Sequence, residues 1–418
     1  MIVCRACTSS HLRLFLPLGE HPLANGFLSA AQLDEPEPVF PLDVYACLDC
    51  GLIQIDDNVP AEFFRHYVYV PSASEVMRDH FVGFAEAIAR DYLPVPGGLA
   101  VDIGCNDGLL LADLQTRGAR TLGIDPASNI VEMARERGVE VVNEYFNAEL
   151  ARAIREEHGP AAVVVTTNTY HHIGDLDAFT KGVTILLDED GVFIVEVPYA
   201  RKIVETNQFD GVYHEHVSQF TIKSFVDHFR RYGLEVCEVT PLDVHGGSVR
   251  VAARRAPGSD PKAPAARDWV AEEASLGLLE AATYDAFRAR VESLGEELTR
   301  LLAELKDAGH RIVGYGASAR GNTLLNYYRI GTETLDYIVD RNPLKHGLYT
   351  PGRHIPVHGV ERLMADKPPY VLVIAWNFSE EIMRQQADYA RAGGKFILPI
   401  PEPVIVTEPT TVDEAQTP

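Results

Sequence analysis

Twice along this chain an apolar strand runs into a glycine turn and on into a helix: "LAVDIGCNDGLLLADLQTRG" begins at residue 99 and "RIVGYGASARGNTLLNYYRI" at residue 311. Strands that alternate with helices have few ways to bury themselves, and the commonest is a mostly parallel sheet flanked by helices. "RTLGIDPAS", "AAVVVTTNTYHHI" and "GVFIVEVPYA" extend the first unit, while "LDYIVDRNPLKHG", "YVLVIAWNF" and "KFILPIP" extend the second. The chain is therefore expected to be an α/β protein with two Rossmann-like sheets.

In the first unit Asp102 lies in the strand, Gly104, Asn106 and Gly108 form the turn, and Asp125 ends the next strand. A glycine turn at a strand end lets a ligand reach the backbone, and a carboxylate at this distance suits a ribose diol. "GCNDG" lacks the three-glycine fingerprint that brings a dinucleotide pyrophosphate close, which counts against an oxidoreductase. It is nearer the form seen in methyltransferases that bind S-adenosylmethionine. The second turn, "GYGASARGN", places Ser318, Arg320, Asn322 and the first helical amides where a phosphate would sit, with Lys345 and Arg353 as further cations. The alternative for that turn is purely structural, its glycines serving a tight strand-to-helix connection.

Four of the six cysteines form two pairs, Cys4 with Cys7 in "CRAC" and Cys47 with Cys50 in "CLDC". Each C-x2-C turn brings two thiolates to one ion, and two pairs complete a closed, structural zinc shell. A redox C-x-x-C follows a strand in a βαβ unit and needs no second pair. Cys105 and Cys237 stand alone and are expected to be small buried side chains.

A chain of 418 residues is too long for one core and is expected to divide. Residues 1–65 read as the zinc-binding domain, 66–255 as the first sheet domain, 256–310 as a linker and long helix, and 311–418 as the second sheet domain. The linker is "APGSDPKAPAARD"; Leu294, Leu298, Leu301, Leu302 and Leu305 give the helix an apolar face. A formal charge of -23 excludes long-range attraction to nucleic acid or an anionic membrane, though a local cluster can still hold an anionic ligand. No apolar run suits a spanning helix and "MIVCRACTSS" does not read as a signal peptide, so a cytoplasmic protein with reduced thiols is expected.

Residues 211–220, "GVYHEHVSQF", pack Tyr213, His214, Glu215 and His216 together. A metal site on His214, Glu215 and His216 is disfavoured, because in an extended segment Glu215 faces away from both histidines. With "HPLANGFL", "HYVYVPSASEVMRDHF", "DIGCNDG", "NTYHHI", "VEVPY", "HGGSVRV", "GYGASARGNTLLNYY", "TPGRHIPV" and "IAWNF", this block resembles the sugar-nucleotide 3-C-methyltransferases of deoxysugar biosynthesis along nearly the whole chain. Two positions depart from that pattern: Cys105 in the turn and an extra His171 before His172.

The resemblance implies a small zinc domain, a central S-adenosylmethionine domain and a C-terminal Rossmann-like domain that helps to hold the sugar nucleotide. It also implies a nucleotide-linked 4-keto deoxysugar as partner, probably dTDP-linked, with a GDP-linked or other keto sugar, or a noncatalytic binding role, as alternatives. His216, Glu215, Tyr213 and His172 match positions implicated in that family's active site. A ketone at carbon 4 acidifies carbon 3, and a neutral imidazole takes such a proton near pH 7, so His216 is the expected base. Glu215 is expected to orient a group or bind the sugar, Tyr213 and His172 to donate to the enolate oxygen, Tyr67 and Tyr69 to line the pocket, and Asn168 to lie near the methyl. The oligomeric state is left open, a monomer included.

Overall fold

The computed structural model describes residues 2–56, 70–93, 96–256 and 264–407. The chain divides into two compact units, each made of three segments. The first holds Met1–Leu16, Asp43–Lys202 and Glu215–Asp285; the second holds Pro17–Leu42, Ile203–His214 and Ala286–Pro418. Among the described residues, no helix is long and apolar enough to cross a membrane.

Strands β1 (Leu12–Pro22), β2 (Val39–Cys47) and β3 (Ile53–Ile55) precede the first large sheet, which is built from β4 (Leu99–Ile103), β5 (Arg120–Ile124), β6 (Val141–Val142), β7 (Ala161–Thr167) and β8 (Leu187–Pro198). After β9 (Ser218–Gln219) come β10 (Leu234–Leu242) and β11 (Ser248–Arg255), giving the order β10-β11-β8-β7-β4-β5-β6. Pairs from β6 to β8 are parallel, and β11 and β10 add antiparallel edges. All five residues of β4 are buried, as a strand covered on both faces requires. β1, β2, β3 and β9 form a separate four-stranded sheet.

The second unit repeats the plan with β12 (Ile312–Tyr315), β13 (Ile338–Asp340), β14 (Val357–Gly359), β15 (Tyr370–Val373), β16 (Lys395–Leu398) and β17 (Val404–Val406). Their order is β14-β13-β12-β15-β16-β17, parallel except for the β16–β17 pair. The expected α/β class with two parallel-rich sheets is thus observed. The segment after β11 contains helices Pro264–Ser275 and Ala281–Asp307.

Cys105 is buried against Gly123, where an added Cβ would lie 2.5 Å from its sulfur. Cys237 departs from expectation and is exposed. Leu234 and Val236 take the buried face of β10, so alternation puts Cys237 on the other face, at the register shift between Val236 and Glu238.

Helix Glu75–Asp91 starts at Ser74, whose hydroxyl accepts from the Met77 amide. Met77, Phe81, Phe84, Ala85 and Ile88 form its buried stripe, and His80 carries a polar tie to the sheet. His80 Nε2 lies 2.6 Å from Glu196 Oε1, and Arg250 donates to Glu196 Oε2 at 3.0 and 2.7 Å. Arg250 also covers the Phe84 ring at 3.5 Å. Burial opposes ionisation of Glu196, but the His80 and Arg250 contacts prevail and hold its pKa below the usual carboxylate range.

The four paired cysteines converge, with Sγ–Sγ distances of 3.5 Å for Cys4–Cys50 and 3.6 Å for Cys7–Cys47. Sulfurs sharing a tetrahedral zinc at about 2.3 Å stand roughly 3.8 Å apart, so this donor set fits zinc. Backbone bonds shape both turns, including Cys4 N to Ser9 O and Gly51 N to Cys47 O, each 2.8 Å. The excursion between the pairs, Pro17–Leu42, belongs to the second unit.

Cys47→Ser is expected to lose the bound zinc and lower the melting temperature; unchanged metal content in that variant would contradict the assignment. Glu196→Ala removes a fully buried carboxylate and leaves the half-buried Arg250 without it, and is expected to lower stability by about 3 kcal/mol in urea titrations. Because the Glu196 pKa is depressed on folding, its contribution is complete at neutral pH. It is lost as pH falls through the folded value, so the variant's deficit should shrink in acid.

Candidate active site

The cofactor turn follows β4. Gly104 has φ +81, and a Cβ there would lie 2.0 Å from Thr169 Oγ1, so only glycine lets the two loops approach this closely. Asn106 is also left-handed, at φ 48, and its amide donates to Asp125 Oδ2 at 3.0 Å. Asp125 Oδ1 accepts from the Ala127 amide at 2.8 Å. The carboxylate is thereby fixed at the end of β5 with lone pairs remaining on both oxygens. Gly108 serves packing: it begins helix Leu109–Thr116 at φ 74, and a Cβ would lie 3.0 Å from Ala134 Cβ.

Asp102 is buried, and its Oδ1 meets no hydrogen-bond donor among the described residues. Burial, then the neighbouring Asp125, pushes its pKa up to about 8. An orphaned buried acceptor beside a carboxylate held for a diol is the environment a nucleoside carrying a cationic group would complete. The residues present therefore fit S-adenosylmethionine.

Thr169 leads into a second constellation. The loop after β7 holds Asn168 at φ 50, its amide bonded to Glu196 O at 2.8 Å, and then the turn Tyr170–His172. Tyr170 anchors the loop: its ring is fully buried and its hydroxyl lies 2.8 Å from Thr180 Oγ1. The His171 ring is 4.5 Å from His172 and 4.1 Å from His216, and His172 is 4.8 Å from His216. One nitrogen from each of the three histidines lies within 4.8 Å of the others.

His171 is 1% exposed, and neither ring nitrogen has a hydrogen-bond partner among the described residues. Burial, then His216, lowers its pKa well below the ordinary imidazole value. Burial lowers His172 to about 4 despite the backbone carbonyls of Asn168 and Glu215, which accept from its ring. Its ring N–H is directed to main chain in this arrangement. The trio draws on segments about 45 residues apart, and the sequence signal for it was the doubled histidine His171–His172.

The Tyr213–His216 block is not extended. It forms a bend and turn between the 3-10 turn Phe209–Gly211 and β9, and the boundary between the two units falls after His214. Glu215 and His216 belong to the first unit. His214 belongs to the second, where its Nε2 faces Phe40 O at 3.2 Å and Pro41 O at 3.3 Å. Tyr213 is buried there beside a small cavity that His21, His214 and Asn322 also line. Tyr67 and Tyr69 lie outside the described residues. At "HGG", Gly247 faces Lys202, whose Cγ a Cβ would approach to 2.7 Å, so that glycine serves a tight backbone bend.

In the second unit Asp340 ends β13 and repeats the Asp125 arrangement: Oδ2 accepts from Ala317 N and Oδ1 from Asn342 N, at 2.7 and 2.8 Å. Ser318 caps helix Ala319–Tyr327, accepting from the Gly321 amide at 3.0 Å. Three of the expected phosphate ligands have protein partners. Arg320 donates to Asp210 Oδ1 at 3.0 Å and Gln208 Oε1 at 2.9 Å, with its guanidinium over Trp376. Asp210 is fully buried and also accepts from Trp376 Nε1, so the Arg320 charge balances a desolvated carboxylate. Asn322 donates to Ala24 O at 2.7 Å. Lys345 donates to Ala317 O at 2.7 Å, while Arg353 Nε meets no acceptor among the described residues.

Asp125→Ala removes one charged acceptor while leaving the β4 turn sequence intact. It is expected to weaken S-adenosylmethionine binding by about ten- to a hundredfold in calorimetry, the range for a hydrogen bond to a charged group.

The arrangement has relatives. Residues 4–64 match a zinc binding domain, 84–239 a methyltransferase domain and 243–401 a C-methyltransferase C-terminal domain. C-methyltransferase NovU of Streptomyces niveus is 34% identical over 410 residues, which cover 98% of this chain and 98% of NovU. A ubiquinone biosynthesis O-methyltransferase of Azorhizobium caulinodans is 28% identical over 120 residues, 28% of this chain and 47% of that protein. Among solved structures, magnesium protoporphyrin IX methyltransferase from Synechocystis PCC 6803 covers 47% of this chain and 92% of its own, at 15% identity and a TM-score of 0.36. Near-complete coverage by NovU, with the cofactor turn and the cysteine cluster in place, shows that the chain belongs to the C-methyltransferase family that includes NovU and is an S-adenosylmethionine-dependent C-methyltransferase with a zinc-binding domain.

Proposed function

We propose that the enzyme adds a methyl group to carbon 3 of a 4-keto deoxysugar nucleotide, dTDP-linked in the first instance, during deoxysugar biosynthesis in the cytoplasm. One observation carries the reading: Gly104 of the cofactor turn lies against Thr169, which leads into the His171–His172 turn beside His216. A basic side chain is thereby held next to the loop that would take the methyl donor.

S-adenosylmethionine supplies an electrophilic methyl group when bound at Asp102, Gly104, Asn106 and Asp125, with Asn168 nearby. His216 takes the proton from carbon 3, and the electron pair is delocalised onto the carbon 4 oxygen as an enolate. Tyr213 is the proposed donor to that oxygen, and Glu215 the group that orients the sugar. Carbon 3 then forms the new bond, the ketone is restored, and His216 releases its proton to solvent. His171 and His172, held neutral by burial, add no positive charge that would oppose protonation of His216.

For the nucleotide, the repeated carboxylate cradle at Asp340 supports a second ligand-binding turn, with Ser318, Lys345 and Arg353 as the proposed diphosphate contacts. A GDP-linked keto sugar is the nearest alternative, and a noncatalytic sugar-nucleotide-binding role the more distant one.

The test is incubation with a panel of 4-keto dTDP- and GDP-sugars in heavy water, with and without the methyl donor, followed by mass spectrometry. Expected are one added methyl with the donor and deuterium at carbon 3 without it. Binding without either change would favour the noncatalytic reading. His216→Asn is expected to lower turnover by at least about a hundredfold, the scale of a general base, while leaving donor affinity nearly unchanged. Equal turnover in that variant would remove His216 from the role.

A further inference from the structure

We propose that His171, His172 and His216 form a second metal site, distinct from the four cysteines, that takes a divalent first-row cation such as zinc or cobalt and switches the enzyme off while occupied. The site half of this inference stands on geometry alone; the inhibition half rests on the reading of His216 as the base.

Three imidazoles within ring-to-ring distances of 4.1 to 4.8 Å already approach the spacing of a three-histidine centre. Nitrogens sharing a tetrahedral zinc at about 2.0–2.1 Å stand roughly 3.3 Å apart. The nitrogens here lie within 4.8 Å of one another, so modest ring rotations close the set. An all-imidazole donor set selects zinc, cobalt, nickel or copper over magnesium or calcium, which prefer oxygen.

Two independent features point to a ligand. His171 is 1% exposed with no hydrogen-bond partner for either nitrogen among the described residues. A buried imidazole in that state forfeits a hydrogen bond at its lone pair that a metal would replace. His172 shows the complementary arrangement, its N–H directed to the backbone carbonyls of Asn168 and Glu215. Such outer acceptors fix a ligating histidine in the tautomer that presents its other nitrogen. Three protein ligands leave a fourth position for water, the pattern of an exchangeable site and unlike the closed cysteine shell.

Coordination occupies the lone pair that His216 needs to accept a proton. No bond to substrate forms or breaks in this step; cation and water exchange at three nitrogens. Metal occupancy and proton abstraction at His216 are therefore mutually exclusive.

The test is titration of the intact zinc-loaded enzyme with cobalt(II), read by visible absorption without sugar substrate. Expected is saturation at a single added equivalent, with ligand-field bands and no thiolate-to-cobalt charge transfer. His171→Leu should abolish that binding. His216→Asn, which keeps a polar side chain, should weaken it at least tenfold and covers the case in which His171→Leu does not fold. Absence of saturable absorption, thiolate charge transfer alone, or undiminished binding in both variants would overturn the site. Methyl transfer should fall with the same cobalt midpoint and return on adding EDTA. Unchanged or increased turnover at full occupancy would overturn the inhibition, while failure of methyl transfer on every sugar would count against the function and leave the absorption result to decide the site.

Discussion

The absent side chain at Gly104 is what the rest of the catalytic unit depends on. β4 and β7 are parallel neighbours, with Asp102 opposite Val165, so their following loops leave the sheet side by side. Those loops close to contact because nothing projects from Gly104 toward Thr169. From that contact the order of the site follows. Thr169 leads into Tyr170, and Tyr170 is locked among Phe179, Phe220, Phe225 and Phe229. His171 and His172 are therefore presented by a rigid turn whose position is set by the cofactor loop. Cofactor geometry and histidine geometry are mechanically one object.

The same economy recurs in the second unit. Asp125 and Asp340 each end the second strand of their sheet, and each accepts one amide from the glycine turn and one from its own following residues. A carboxylate in that position supports the loop before it meets any ligand. Its two oxygens retain further lone pairs, so loop support and ligand binding are compatible roles for a single group. This explains why an acid at that spacing is informative in the sequence: the backbone needs it there with or without a diol.

Those parts were legible because they are local. Buried strands such as β4 and β7 read as continuous apolar runs, the turn at Gly104 follows directly, and the cysteine pairs announce themselves by spacing. Long-range partners, by contrast, are not legible in local sequence. Arg320 and Asn322 sit on a turn that looks like a phosphate site, and each also donates to a group more than 100 residues away, Asp210 and Ala24. The Tyr213–His216 block looks like an alternating strand, but a bend and turn carry it. Cys237 follows buried Val236 and so falls on the opposite face of β10, which its residue type alone does not display.

The histidine trio combines both situations, and its composition is the more telling part. His172 and His216 were expected as site residues, whereas His171 was not, and it is almost completely buried. Filling that space with an imidazole that has no hydrogen-bond partner among the described residues costs about 1–3 kcal/mol relative to a partnered group. An apolar side chain would fill the same volume without that cost. A local rule broken at this point, between the cofactor loop and the proposed base, is where departures from foldability concentrate when a site has a second use. The residue that fits the fold least well is thus the one that the shared methyl-transfer chemistry does not account for.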